Sequence, residues 1–179
     1  HNKKPQIQGV RMKLVSYLQN EDLCSVGVKL GDSLAADPSL KTYCEAHFGR
    51  VLNIFVGPPE AYIPEDGDTP YLFLHDFSKS EGAGATKAEY QCVIKIGITT
   101  DEKNAVTDKG VQVFSGQQRI SELLTLIEDA LFRYKNGCQP PTHVEQLTLA
   151  PPGNNLAYWE GYLVAAWTLD LPIGGRNIF

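Results

Sequence analysis

Residues 88–99 place the strictest limit on the fold, because apolar side chains occupy every second position over this stretch. A period of two is the pattern of a β-strand with one buried face, and it does not fit a helix. The other face carries polar or small residues and is expected to be largely in contact with water. The apolar positions are Tyr90, Cys92, Ile94, Ile96 and Ile98.

Two helices are predicted in the N-terminal part of the chain. Apolar residues three or four apart indicate an amphipathic helix over residues 23–36, although two glycines weaken this interpretation. Asp37 followed by proline is a typical helix start, and Gly49 is a typical stop. A second, short helix is therefore expected over residues 38–48.

The major helix is predicted over residues 117–135, with Ser115 as its N-cap and Asn136-Gly137 as its end. Further strands are predicted over residues 50–56, 71–77, 144–150 and 156–171. Alternation in the second of these strands places Tyr71, Phe73, His75 and Phe77 on one side. Residues 57–70, rich in proline, are expected to form an exposed, rigid loop, and residues 78–86 a flexible connection. Residues 101–114 fit either a short return strand or an anchored loop.

This order of elements predicts the fold class. The connections between successive strands are too irregular to be crossover helices, which favours antiparallel neighbours. We therefore expect an α+β fold with a mostly antiparallel sheet and the helices packed on one face. The length of 179 residues fits one such domain.

The chain has an unusual beginning. Met12 is the only methionine, and three basic residues and no acid precede it. We interpret residues 1–11 as a leader or an added segment that is disordered, and residues 12–179 as a single α+β domain.

Charge and hydropathy argue against two classes of partner. The formal net charge is −5, and no basic stripe of the kind that binds nucleic acid is present in the sequence. No apolar run approaches the ~20 residues of a membrane helix. We expect a cytoplasmic protein without nucleic-acid or membrane partners, with its four scattered cysteines reduced.

Motifs for common catalytic and cofactor sites are absent from the sequence, including the phosphate-binding glycine loops, the nucleophile elbow and the helical zinc pair. His75 and Asp76 are adjacent, but neighbours on a strand point to opposite faces and should not act together. The segment Asp66-Gly67-Asp68 lacks the rest of a calcium loop and fits a turn. We expect no cofactor, no metal and no catalytic residue.

His143 and Glu145 lie two apart at the start of a predicted strand, so they share a face. They could contribute to a metal site only with a third ligand from elsewhere, and none is near in sequence.

Tyr158, Trp159 and Tyr162 form an aromatic group on the last predicted strand. If Trp159 is buried, Tyr158 and Tyr162 are left exposed together, and exposed tyrosines are favoured at protein contacts. These two tyrosines are our candidate protein-contact residues.

Taken in order, these elements make the chain resemble the phage tail terminator family, which includes lambda tail terminator-like and prophage minor tail proteins. The segments that carry the resemblance are the predicted helices over residues 23–36 and 117–135 and the predicted strands over residues 50–56, 71–77, 88–99 and 144–171. It covers nearly all of the chain after Met12.

The resemblance implies a non-enzymatic subunit that closes into a hexameric ring on the finished tail tube and prepares head joining. Its partners would be other copies of itself, the tail-tube protein and the head connector. It would be found in the cytoplasm of the bacterial host and in the virion tail. Lys79, Glu81 and Lys103, in the two polar connections, are further candidate contact residues.

Two other hypotheses remain open. One is a small α+β ligand-binding or regulatory domain of the bacterial cytoplasm, since a fold does not fix a function. The other is an enzyme whose site is assembled from His75, His143, Glu145 and loop acids.

Overall fold

The computed structural model describes residues 22–62, 64–80, 87–101, 104–133, 140–149 and 157–170. Within these ranges lie three α-helices and seven strands. The helices are α1 (Leu23–Ala36), α2 (Pro38–Phe48) and α3 (Ser115–Phe132). The strands are β1 (Asn53–Val56), β2 (Tyr71–Ser80), β3 (Lys87–Thr99), β4 (Ala105–Val106), β5 (Gln112–Val113), β6 (His143–Leu149) and β7 (Tyr158–Asp170).

Five strands form one sheet in the order β1-β2-β3-β7-β6. β1 and β2 run parallel, and every other neighbouring pair is antiparallel. β4 and β5 form a separate two-stranded hairpin. The predicted α+β class with a mostly antiparallel sheet is confirmed.

The hydrophobic core lies between the helices and one face of the sheet. β3 contributes Ile94, Ile96 and Ile98, each fully buried, as its alternating pattern predicts. The apolar stripe of α3 packs against them and against Leu163 of β7. The buried apolar residues of that stripe are Ile120, Leu123, Leu124, Ile127 and Leu131. Burial of each such side chain stabilises the fold by about 1.5–3 kcal/mol, so this seam holds the helix layer on the sheet.

Glycines in α1 allow the helix to lie close to β1 and β2. A Cβ atom added at Gly27 would lie 2.5 Å from the ring of Phe77 and 2.9 Å from Val56. In the sequence, this glycine weakens the prediction of a helix. Its role in the structure is to let the helix backbone approach the sheet.

The start of α2 is the N-cap that the sequence predicts. The buried carboxylate of Asp37 accepts hydrogen bonds from the backbone N–H groups of Ser39 and Leu40. It also pairs with Arg133, just after α3, at 3.2 Å. The predicted stop is confirmed as well, since Gly49 caps the helix with φ 67°. One side chain thus caps α2 and ties it to α3.

The predicted start of α3 is wrong by one residue. Phe114 occupies the N-cap without a side-chain hydrogen bond, and Ser115 is the first helical residue. Asn104 compensates, because its side-chain oxygen accepts from the Ser115 backbone N–H at 3.3 Å. The helix ends at Phe132, and the predicted Asn136-Gly137 stop lies outside the described residues.

A β-bulge in β2 overturns the predicted alternation of that strand. The register with β3 shifts between His75 and Ser78, and Asp76 has φ 50°. The extra residue turns Phe77 to the helix side, where it packs against the core, instead of beside Tyr71. β2 continues to Ser80, so the start of the predicted flexible connection is strand; residues 81–86 lie outside the described part.

Several other segments differ only in their ends. The strand predicted over residues 50–56 is confined to β1, and the loop after it contains two short 3₁₀ turns, Pro59–Ala61 and Asp66–Asp68. The undecided segment 101–114 contains the β4–β5 hairpin. Residues 1–11 lie outside the described part. None of the described helices is both long and apolar enough to cross a membrane.

Candidate protein-contact surface on the open face of the sheet

The face of the sheet opposite the helices carries both predicted contact tyrosines, and we call it the open face. Strand register aligns its side chains in rows across the sheet. One row is Phe73, Lys95, Tyr162 and Leu147, and the next is Tyr71, Gly97, Glu160 and Leu149. No helix of the described chain packs on this face.

An ion pair lies at the centre of the open face. Lys95 Nζ on β3 lies 2.8 Å from Glu160 Oε1 on β7, and the two side chains are only 20% and 18% exposed. The Tyr158 hydroxyl donates to the same Glu160 oxygen at 2.6 Å. The Lys95 ammonium also lies 5.8 Å from the centre of the Tyr162 ring. Both charges are therefore compensated within the face.

Tyr71 joins this network because β3 has a glycine at the crossing point. The hydroxyls of Tyr71 and Tyr158 are hydrogen-bonded, although one lies on β2 and the other on β7, with β3 between them. A Cβ atom at Gly97 would lie 2.2 Å from Cζ of Tyr71. Glycine is thus required for the Tyr71 ring to lie across β3. We call Lys95, Glu160, Tyr71 and Tyr158 the open-face network.

The environment sets the protonation states in the network. Burial, and then the hydrogen bond to Glu160, raise the pKa of Tyr158. Burial likewise raises the pKa of Tyr71. For Lys95, burial acts to lower the pKa, but the hydrogen bond and the charge of Glu160 outweigh it, and the pKa is raised. At neutral pH the tyrosines are therefore protonated and Lys95 is charged.

Aromatic rings cover one end of the open face. Phe55 on β1 stacks on Phe73 at 4.8 Å between ring centres, and Tyr62 from the following loop stacks on Phe55 at 5.1 Å. The Tyr62 hydroxyl donates to Asp68 at 2.7 Å, which fixes that part of the loop. This end of the face is therefore closed by the protein's own loop.

The other end of the open face is apolar and exposed. Leu147 and Leu149 on the edge strand β6 are 56% and 37% exposed. They lie directly beside Tyr162 and Glu160 in the register. An exposed leucine pair next to a half-buried tyrosine makes a continuous apolar margin of the kind found at protein contacts.

The predicted contact residues have different outcomes. Tyr158 and Tyr162 share the open face, but both are half-buried, so the expectation that they are exposed is wrong. The reason is the network, which holds Tyr158, and the packing of Lys95 against Tyr162. Lys79 is not on this surface. Its ammonium lies 5.5 Å from the ring centre of Tyr90, and Tyr90 is on the buried face of β3 that packs against the helices. Glu81 and Lys103 lie outside the described residues.

The prediction that His75 and Asp76 point to opposite faces is also wrong. The bulge brings Nδ1 of His75 to 3.2 Å from Asp76 Oδ2, whereas a regular strand would point the two side chains apart. His75 is buried, and Asp76 is exposed. The pair lies at the end of the regular β2–β3 register, beside Val93.

The other ionisable residues considered for an enzyme do not gather in the described structure. His75 and Glu145 face each other across three strand spacings, about 14 Å. His143 and Glu145 are exposed on β6. No group of three metal-ligating side chains occurs among the residues that the structure describes. The segment Asp66–Asp68 forms a 3₁₀ turn, in keeping with its interpretation as a turn.

Sequence reasoning missed Lys95, Glu160 and Tyr71 as members of this surface. A signal for the ion pair is present in the sequence, because each charged residue interrupts a long apolar strand and the two signs are opposite. The signal becomes specific only once β3 and β7 are known to be neighbours.

Comparison with protein-family models and with curated proteins gives no relative. No model of a protein family matches the chain, and no curated protein matches it at a significant level. The likeness to phage tail terminators therefore stays a prediction from the order of elements.

Proposed function

We propose that this protein is a non-enzymatic structural subunit that assembles with copies of itself through the open face. In this proposal it is a tail assembly protein of phage or prophage, closing into a ring, six-membered by the resemblance, at the end of the tail tube. The observation that carries the proposal is the half-buried, charge-compensated network beside exposed leucines, on a face that the described helices leave uncovered.

Burial by a partner would strengthen this network. A fully solvent-exposed ion pair contributes about 0–1 kcal/mol to stability, whereas Lys95 and Glu160 are already mostly removed from water. Removal of the remaining water strengthens the attraction within the pair and its tyrosine hydrogen bond, and it costs little desolvation because both side chains are already mostly buried. Such a surface can be covered without leaving an unpaired charge.

A closed ring needs a second, different patch on each subunit. The β4–β5 hairpin offers one, since Val106, Val111 and the adjacent Phe114 are 64%, 59% and 42% exposed. We propose that the hairpin of one subunit lies against the leucine margin of the next. Repeated around an axis, this head-to-tail contact closes a ring.

Single substitutions test the two patches. Leu147→Ser on the open face and Val106→Ser on the hairpin should each prevent assembly in sedimentation velocity between about 1 and 500 μM. Val51→Ser is the matched control, because Val51 is also half-exposed but lies on neither patch. Assembly by the control and loss of assembly in both variants is the expected result.

A mixing experiment tests the direction of the contact. An equimolar mixture of Leu147→Ser and Val106→Ser retains one intact pair of patches, so it should form dimers but no ring. Dimers that form in the mixture, and in neither variant by itself, support head-to-tail contacts. A wild-type chain that stays monomeric over the whole concentration range, or variants that assemble as it does, would refute the proposal.

The wider setting is part of the same proposal. The subunit would act in the bacterial cytoplasm and then in the virion tail, with the tail-tube protein and the head connector as its partners. A tail-tube or tape-measure reading frame beside its gene is the expected context. Neighbouring genes of an unrelated metabolic pathway would contradict it.

A further inference from the structure

A cleft of about 420 Å³ opens at the end of the sheet where β3 ends and β7 begins. The last turn of α2 forms one wall through Phe48, and Arg50 follows it. Thr69 and Thr99 contribute hydrogen-bonded hydroxyls, and Asp101 lies beyond the end of β3. This volume lies in the range of about 300–1,000 Å³ that is typical of small-molecule sites.

Two opposite charges line this cleft without pairing with each other. Within the described part of the chain, no ion pair joins Arg50 and Asp101. Arg50 Nη1 donates to the Gly67 carbonyl, and the charge of the guanidinium also acts on the Asp68 carboxylate. The bond to Gly67 uses one of the five N–H donors of Arg50. A positioned guanidinium and an exposed carboxylate thus lie on the same small cleft.

This charge pattern selects a class of ligand. A simple anion would be attracted by Arg50 and repelled by Asp101, and a simple cation would experience the reverse. A molecule with both a carboxylate and an ammonium group offers an opposite charge to each of the two side chains. Guanidinium and carboxylate form strong paired hydrogen bonds, and Phe48 adds an apolar residue to the lining.

We propose that this cleft binds a small zwitterion of the α-amino acid class. The ligand carboxylate lies on Arg50, its ammonium group on Asp101, and its side chain against Phe48. The site is separate from the proposed assembly contact, since neither Leu147 nor Val106 lines it. Assembly can therefore fail or succeed without deciding whether the cleft is a binding site.

Three compounds separate the two charged contacts. L-phenylalanine carries both groups, N-acetyl-L-phenylalanine lacks the ammonium group, and L-phenylalaninamide lacks the carboxylate. The full chain is titrated with each compound while its amide chemical shifts are recorded. Phenylalanine should shift the resonances of residues 47–50 and 99–101. Each analogue should bind at least about tenfold more weakly, as expected when a charged partner is removed.

Variants assign each contact to its residue. In Asp101→Asn the preference for phenylalanine over its N-acetyl form should disappear, and in Arg50→Gln the preference over the amide should disappear. Lys41→Gln, an exposed change on α2 away from the cleft, should keep both preferences. Unchanged thermal unfolding of each variant shows that it is folded.

Several results would overturn the inference. One is the absence of chemical-shift changes at the cleft up to about 20 mM phenylalanine, because a specific site would be occupied well below this concentration. Equal binding of the three compounds, or preferences that survive in both variants, would also overturn it.

Discussion

Substitution of Gly97 by alanine tests the open-face network most sharply. The new Cβ atom would lie 2.2 Å from Cζ and 2.4 Å from Cε1 of Tyr71, so the ring must move away from β3. Overpacking of this kind costs about 1–3 kcal/mol. Loss of the Tyr71–Tyr158 hydrogen bond adds about 1 kcal/mol.

A smaller effect of opposite sign reduces the cost of the clash and of the lost hydrogen bond. Alanine is more favourable than glycine within a strand by about 0.5–1 kcal/mol. We therefore expect Gly97→Ala to lower the free energy of unfolding by about 1–3.5 kcal/mol. Urea unfolding of dilute protein, followed by tryptophan fluorescence, measures this change.

A double-mutant cycle separates the clash from a general intolerance of β3. Leucine at position 71 does not reach the positions of Cε1 and Cζ, so Gly97→Ala in a Tyr71→Leu background should stabilise the protein by about 0.5–1 kcal/mol. The expected coupling between the two sites is about 2–4 kcal/mol, the sum of the clash and the lost hydrogen bond. If Gly97→Ala costs the same in both backgrounds, the glycine does not serve the tyrosine and the reasoning is refuted.

Three further predictions concern the helix layer and the core. Gly27→Ala should destabilise the protein by up to about 2 kcal/mol in urea unfolding, because the clash of its Cβ with the ring of Phe77 at 2.5 Å outweighs the roughly 1 kcal/mol that alanine gains over glycine in a helix. Asp37→Ala removes the α2 cap and its arginine partner and should cost about 2 kcal/mol, whereas a cost under about 0.5 kcal/mol would mean that the cap is not needed. Burial raises the pKa of the Cys44 and Cys92 thiols to about 12, so the unfolded chain loses these protons at a lower pH than the folded chain does. The free energy of unfolding should therefore fall between about pH 9 and 12, by up to about 1.4 kcal/mol per pH unit for each thiol. Urea midpoints that do not change over this pH range would contradict the prediction.

The sequence predicts most elements of the fold because their signals are local. The alternation in β3, the cap at Asp37 and the stop at Gly49 each depend on neighbouring residues, and the structure confirms all three. The bulge after His75 is different. Nothing in the local pattern indicates the extra residue, so Phe77 is predicted on the wrong face.

The candidate surface is predictable only in part for the same physical reason. The alternation along β7 places Tyr158 and Tyr162 on one face, which the structure confirms. Their burial depends on contacts across strands, with Lys95 from β3 and with Tyr71 from β2. Pairing of β3 with β7, which are separated by more than fifty residues of sequence, is needed before these contacts can be foreseen.

Hydroxyl-radical footprinting tests whether sister subunits cover the open face. The wild-type chain is labelled in dilute and in concentrated solution, and oxidation is measured at Leu147 and Val106. We predict that both side chains become protected as concentration rises, while Val51 is labelled equally in both samples. Equal labelling of Leu147 and Val106 at the two concentrations would contradict the account.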